Sequence, residues 1–364
     1  MRHPLVYWPK SEEAVEVSGP ASGPEWGGRD LRVMTWNVQY AAGRGYVFFY
    51  DTIPWGGPDE RPSPFAVAST LEGIATVIER EAPDVVLLQE IDVGADRTDR
   101  VDQAQVLRRR LPDWPWSATA WYWRSAFVPH ARVRGAVGLQ LMVLSKLRIT
   151  RARRVPLPLI PGSWLRQAFG FKRAILLAEL ASGAEPLTVG STHFDAFAQG
   201  TGTMQRQVET TAAACRSLDS GSWALGGDFN LVASSAERAA LDPSQKASYA
   251  ETSELQVLQE WPSVPSVSDL SGPERARWLT YHPNEPVSSG PDRAIDYIFH
   301  SQGLVRRSAH VVNDAFTAGL SDHLPIVAEL GRPGEPEAPL SPERAERPVR
   351  AGKPGARARG KRTA

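Results

Sequence analysis

The stretch GLSDHLPIV, Gly319 to Val327, sets an acid beside a histidine, stops at a proline and then enters a short apolar run. A strand preceded by Ser321, Asp322 and His323 has two readings. One is a loop cap. The other is a catalytic acid and imidazole held at the rim of a sheet. The choice rests on what the other strands present at their own ends.

Working outward from that run, eight segments are rich in Val, Ile, Leu and aromatics and read as strands. They are LRVMTWNV (31–38), DVVLLQEI (84–91), VGLQLMVLSK (137–146), RAILLAEL (173–180), PLTVGSTHF (186–194), WALGGDF (223–229), AIDYIFH (294–300) and PIVAEL (325–330). Several are apolar throughout, as in strands buried on both faces. Between them, Phe65 to Glu81 places Leu71, Ile74, Val77 and Ile78 on one helical stripe. Met204 to Leu218 does the same with Met204, Val208, Thr211, Cys215 and Leu218, which makes Cys215 a core residue rather than a nucleophile. The pattern predicts sheets packed face to face with helices outside, in one domain spanning about residues 30–331.

Composition bounds the function. The chain has 364 residues, 42% of them hydrophobic, enough for a sizeable core. Its 41 basic and 41 acidic residues balance, so net charge does not mark a polyanion binder. The single cysteine excludes an intrachain disulfide and a cysteine zinc cage. The opening MRHPLVYWPKSEEAVEV lacks the apolar run of a signal peptide, and no stretch reaches the ~20 apolar residues of a membrane span. A cytoplasmic monomer is expected. Residues 1–29, with SGPASGPEWGG, are expected to form a flexible arm. Residues 332–364 are rich in Pro, Arg, Gly and Glu and are expected to be disordered. From Arg350 onward this tail is basic without acids. It reads either as a solubilising tail or as a weak anchor for nucleic acid or an anionic membrane.

Polar residues recur where the strands stop. Asn37 follows one, Gln89 and Glu90 another, His193 and Asp195 a third, and Asp228 and Asn230 a fourth. Asp296 lies in AIDYIF, and Asp322 and His323 precede the last strand. Alone, each has a structural reading: a solvated strand end, an Asp/Asn turn or a cap. Together they point to one crevice where strand ends converge. Glu90 and the aspartates are hard oxygen donors, suited to Mg²⁺ or Mn²⁺ rather than zinc.

The series TWNV, LLQEI, STHF, GGDFN, IDYIF and SDHLP, in order over residues 31–330, resembles the endonuclease/exonuclease/phosphatase superfamily. That group includes DNase I-like nucleases, abasic-site endonucleases, inositol-polyphosphate 5-phosphatases and neutral sphingomyelinases. The resemblance implies an α/β fold: a four-layer α/β/β/α sandwich, DNase I-like, with two mixed, mostly antiparallel sheets and outer helices. It implies metal-dependent cleavage of phosphoesters with Mg²⁺ or Mn²⁺. By position it makes Glu90 the main metal ligand, with Asn37 beside it and Asp322 at a second metal position or on water. Asp228 would orient or deprotonate the attacking water, and Asn230 would fix the same group or a phosphate oxygen. His323 would face the scissile phosphate with its ring oriented by Asp296, and His193 would donate to a phosphate oxygen. In the abasic-site endonucleases a tyrosine usually stands where this chain has THFDAF, which weighs against a repair endonuclease.

Two further stretches bear on the substrate. QYAAGRGYVFFYDTIPWGG places Tyr46, Phe48, Phe49 and Tyr50 shortly after Asn37, flanked by Arg44 and Asp51. These aromatics read either as core or as a lip for a base, a sugar or an acyl chain, with Arg44 reading a polar head. Arg151 to Ala174 brackets Leu157, Leu159, Ile160, Trp164, Leu165, Phe169 and Phe171 with basic residues. It reads either as a long loop on the sandwich edge or as a surface for a membrane or an anionic ligand. The expected activity is a phosphodiesterase, with a lipid or other small phosphodiester ahead of nucleic acid. A DNA or RNA nuclease is the second reading, and an inactive phosphate-binding module on the same fold the third.

Overall fold

The computed structural model describes residues 3–9, 11–46, 61–130, 133, 135–183, 185–196, 198–218, 221–283 and 290–334. In chain order its strands are β1 (Glu13–Val15), β2 (Val17–Ser18), β3 (Leu31–Asn37), β4 (Val85–Asp92), β5 (Trp116–Val128), β6 (Gly135–Ser145) and β7 (Ile149–Pro156). There follow β8 (Ala174–Leu180), β9 (Leu187–His193), β10 (Ser222–Asp228), β11 (Ser263–Val264), β12 (Asp296–His300), β13 (Val305–Val311) and β14 (Ile326–Gly331). The helices that matter for the site are α1 (Pro64–Glu81), α2 (Gln103–Arg110), α3 (Trp164–Phe169) and α4 (Thr203–Arg216).

The strands form two seven-stranded sheets, ordered β1-β7-β8-β9-β10-β12-β11 and β13-β14-β3-β4-β6-β5-β2. Each sheet contains one parallel pair, β9 with β10 and β3 with β4, and every other pairing is antiparallel. A parallel pair needs a crossover, and here α4 and α1 supply it. Ser63 caps α1 by accepting from the Ala66 N–H, Pro64 opens the helix, and Ala82 ends it in the left-handed region.

Alternation along the strands sorts the core into layers. Leu31, Val33, Val85 and Leu87 point between the sheets, where Leu176, Ala178, Val189 and Ile298 meet them from the other side. Met34, Trp36, Val86 and Leu88 point the opposite way, onto Ile74 and Ile78 of α1. On the far face of the other sheet, Ile175, Leu177 and Trp223 pack on Met204, Val208, Ala212 and Cys215 of α4. The result is the expected four-layer α/β/β/α sandwich, with Cys215 in the core. Gly226 lets the sheets approach: a Cβ there would lie 2.9 Å from both Leu87 Cδ1 and Thr35 Cβ.

All eight segments read as strands are strands; of the other six, the three longest, β5, β7 and β13, had no clear signal. β7 alternates arginines with small or apolar residues, and its outward Arg151 and Arg153 pair with Glu179 and Glu12. β13, VRRSAHV, is an edge strand in which no residue is fully buried. β5 is interrupted by two register shifts, which break its period. Thus Arg151 to Ala174, read either as a long loop or as a surface for a membrane or an anionic ligand, is the end of β7, a connection carrying α3, and the start of β8. The N-terminal segment is a second correction. Expected as a flexible arm, it adds β1 to one sheet edge and β2 to the edge of the other. Trp26 is buried there, its Nε1 donating to the Arg29 carbonyl. Short polar strands of two or three residues satisfy backbone groups at an edge without leaving a hydrophobic signature. Phe48, Phe49, Tyr50, Asp51 and the tail from 335 lie outside the described residues.

Candidate active site

β9, β10 and β12 lie side by side, and their registers pair Asp228 with His193 on one side and with Asp296 on the other. Directly paired residues face the same way, so the three side chains form one row across the sheet end. The facing sheet contributes the ends of β3 and β4. There the β4–β6 register shifts between Leu88 and Ile91, and Glu90 takes a φ of 62°. The bulge turns Glu90 out of the ladder toward the row. Its neighbour Gln89 points between the sheets instead, donating to Ser191 Oγ of β9 at 2.9 Å.

The loop before β14 closes the site. Trp36 Nε1 donates to the His323 carbonyl at 2.9 Å, and Ser321 Oγ donates to the Asn37 carbonyl at 2.8 Å. The His323 N–H donates to Ser321 Oγ at 3.1 Å. Ser321 therefore carries the capping that the sequence left open, and Asp322 and His323 are released to face the carboxylates.

The contacts are close. His323 Nδ1 lies 2.8 Å from Asp296 Oδ2, and because an ionised carboxylate only accepts, Nδ1 carries the proton. The other ring nitrogen, Nε2, faces Asp228 Oδ2 at 3.6 Å. His193 Nε2 approaches the same oxygen at 3.3 Å, while its Nδ1 stands 3.9 Å from Glu90 Oε1 and makes no hydrogen bond among the described residues. Asn37 Nδ2 donates to Asp228 Oδ2 at 3.1 Å and to Glu90 Oε1 at 3.4 Å, and its Oδ1 accepts from the Gln39 N–H. Asn37 thus orients two carboxylates. The Asn230 N–H donates to Asp228 Oδ1 at 2.9 Å, and its side chain donates to the Phe194 carbonyl.

Electrostatics separates the two histidines. Burial opposes charge on His323, but Asp296, Asp228 and Asp322 together outweigh it and hold its pKa well above the usual histidine range. Burial pushes His193 well below that range, and the Arg173 charge adds to the effect. Asp228 is pushed up to about 7 by burial, opposed by His323 and reinforced by Asp296. Burial raises Glu90, and the charge of Asp322 adds to it. Burial raises Asp322 as well. Buried carboxylates with raised pKa values and oxygen donors on one side of a cleft are a fit for a hard divalent cation. Among the described residues, one ligand atom each from Asp228, Asp296 and His323 also lie within 4.8 Å of one another, close enough to share a cation.

The structure brings Asn37, Glu90, His193, Asp228, Asn230, Asp296, Asp322 and His323 together. Arg44 borders them: Asp322 acts on its charge, its Nη2 donates to the Pro283 carbonyl, and its Nη1 has no hydrogen-bond partner among the described residues. Tyr46 packs against the core between the sheets, in line with the core reading rather than the lip. Phe49 is outside the described residues. Trp164 stands on the surface of α3, not among the carboxylates. Three neighbours of the site escaped the sequence reading. Arg173 is buried, donates to Asp195 at 3.1 Å and stacks 5.0 Å from the Tyr122 ring centroid. Tyr122 meets the His193 ring edge-on at 5.5 Å, and Tyr281 meets the His323 ring at 4.9 Å. The only trace of Arg173 in the sequence is a basic pair standing directly before a buried strand.

This chain belongs to the endonuclease/exonuclease/phosphatase family, whose model matches residues 34–323. Members of the family are in general hydrolases of phosphoester bonds. A similar solved structure is the endonuclease/exonuclease/phosphatase from Beutenbergia cavernae DSM 12333, at 21% identity and a TM-score of 0.52 over 84% of this chain and 72% of that one. The human Nocturnin catalytic domain with bound sulfate anion is similar at 16% identity, with a TM-score of 0.51 over 87% and 97%. D. rerio TDP2 complexed with single-strand DNA product is similar at 15% identity, with a TM-score of 0.50 over 83% and 99%. These likenesses establish the DNase I-like fold. No curated protein matches the sequence.

Proposed function

We propose that this protein is a divalent-metal-dependent phosphodiesterase acting on a lipid or other small phosphodiester. One observation carries the reading: His323, charged and oriented by Asp296 at 2.8 Å, faces an Asp228 held near neutral pKa at 3.6 Å. A group that takes a proton near pH 7 stands opposite a group that gives one, as general base and general acid require. Asp228, fixed by Asn37 and by the Asn230 N–H, takes the proton of the attacking water. His323 presents a charged N–H to the phosphate as negative charge develops there. His193, kept neutral, has a single N–H, and its Nε2 beside Asp228 would give it to a phosphate oxygen entering there. Mg²⁺ or Mn²⁺, held by Glu90 and Asp322, would neutralise phosphate charge as a Lewis acid. Asn37 steadies Glu90 for that role.

A small or lipid substrate is placed ahead of nucleic acid because phosphate contacts dominate nucleic-acid affinity and this chain carries no net positive charge. The test is hydrolysis of bis-p-nitrophenyl phosphate, p-nitrophenyl phosphate, plasmid DNA, RNA, sphingomyelin and inositol phosphates, with Mg²⁺, Mn²⁺ or EDTA, beside His323→Ala. Cleavage of a diester that needs the metal and is lost in the variant supports the reading. Cleavage that survives both His323→Ala and Asp228→Asn removes the mechanism.

A further inference from the structure

Seven large hydrophobic side chains stand exposed among the described residues, and five of them gather around β5 and α3. Leu5 is 64% exposed, Trp8 59%, Phe127 46%, Trp164 70% and Leu165 56%. They come from three separate stretches of chain that the fold stitches together. Residues 4 and 5 run beside the end of β5: the Ala126 N–H donates to the Pro4 carbonyl at 2.7 Å, and Ser125 Oγ donates to the Leu5 carbonyl at 2.7 Å. Trp123 of β5 ties down α3, its Nε1 donating to the Phe169 carbonyl at 2.7 Å. The Lys172 ammonium holds the carbonyls at the end of α3 and lies 5.1 Å from the centroid of the Trp8 ring.

Charge on these stretches has one sign. Residues 1–10, 120–134 and 151–174 contain no Asp or Glu, although the whole chain has as many acids as bases. Of their cations, Arg166 is exposed and Arg124 half-buried, while Lys172 and Arg173 are buried, Arg173 on Asp195. Exposed aromatics and leucines beside the exposed Arg166 match the boundary of an anionic bilayer: rings enter the headgroup level while a guanidinium meets lipid phosphate.

The patch also adjoins the catalytic cleft. The Lys172 N–H donates to the Tyr122 carbonyl, and Tyr122 meets His193 edge-on. Arg173, next in the chain, reaches across to Asp195 behind the same histidine.

We infer that the surface formed by Leu5, Trp8, Phe127, Trp164, Leu165 and Arg166 docks onto an anionic lipid bilayer and delivers a lipid phosphodiester to the adjoining cleft. This rests on the phosphodiesterase reading only for the delivery step, since docking is measured without catalysis.

The test is co-sedimentation of the full chain with vesicles of phosphatidylcholine alone or with one third phosphatidylglycerol, at low and high salt. Three proteins are compared: the parent, a Trp8→Ser/Leu165→Ser double variant, and Arg166→Ser. Hydrolysis of soluble bis-p-nitrophenyl phosphate is followed in parallel. The parent is expected to sediment with anionic vesicles. The double variant is expected to bind at least about tenfold more weakly, and Arg166→Ser about fivefold more weakly with a shallower salt response. Soluble turnover stays unchanged in all three. No sedimentation of the parent with anionic vesicles overturns the docking surface and leaves the phosphodiesterase reading standing. Binding that survives the double variant moves docking elsewhere, the basic segment from Arg350 included, and equally overturns it. Variants that lose single-stranded oligonucleotide binding but keep vesicle binding would reassign the face to nucleic acid. Normal vesicle binding with no hydrolysis of any phosphoester supports the docking surface and removes the catalytic proposal.

Discussion

Replacing Asp228 by asparagine in the metal-free protein isolates the electrostatic cost built into the site. The carboxyl is fully buried between His193, His323 and Asn37, and its pKa rises from 3.8 to about 7. Below about pH 4 both the folded and unfolded chains hold this proton, and Asp228 costs nothing. Between about pH 4 and 7 the unfolded chain releases it while the folded chain keeps it, so stability falls as pH rises. Above about 7 the loss is complete. Three pH units at ~1.4 kcal/mol each give ~4 kcal/mol, part of which belongs jointly to Asp228 and the nearby His323. Asp228→Asn keeps the shape and removes the titration. Its stability relative to the parent is therefore expected to improve from pH 5 to pH 8 by up to ~3 kcal/mol, the part of that cost lying above pH 5, or on the order of 5 °C in Tm. The assay is thermal unfolding followed by circular dichroism in EDTA at half-unit pH steps. A Tm difference that stays constant from pH 5 to 8 would falsify the claim that Asp228 is held protonated near neutrality.

Three further outcomes follow from the same geometry. Asp296→Asn retains a polar partner for His323 but removes the largest charge sustaining the imidazolium; phosphodiester turnover should drop by about 10²-fold or more, with the alkaline limb of the pH–rate profile moving to lower pH. Glu90→Gln should leave the metal-free Tm equal or higher while abolishing the Tm rise on adding Mg²⁺, and a full Mg²⁺ response in that variant would remove Glu90 from the metal site. Gly226→Val drives a side chain into Leu87 and Thr35 of the facing sheet, and denaturant unfolding should show a loss of about 1–3 kcal/mol or more.

The sequence carried this protein's buried strands and its two long helices, because burial on both faces or on one stripe writes itself as an apolar run or a 3.6-residue period. It also carried the polar residues at the strand ends, since Glu90, His193, Asp228 and His323 each interrupt an apolar segment. The edges were illegible: β1, β2 and β13 bury little, so backbone pairing alone decides them. The site's electrostatics was illegible too. Asp228 reaches its near-neutral pKa only because the registers of β9, β10 and β12 set His193 and Asp296 on either side of it in a dry crevice. Glu90 faces that crevice, and Gln89 does not, through a single bulge in β4. Arg173 and Tyr122 enter through strands far away in sequence. Residue type is local, whereas the field at a buried carboxyl sums over whatever the fold places within a few ångströms, and only the tertiary structure decides that sum.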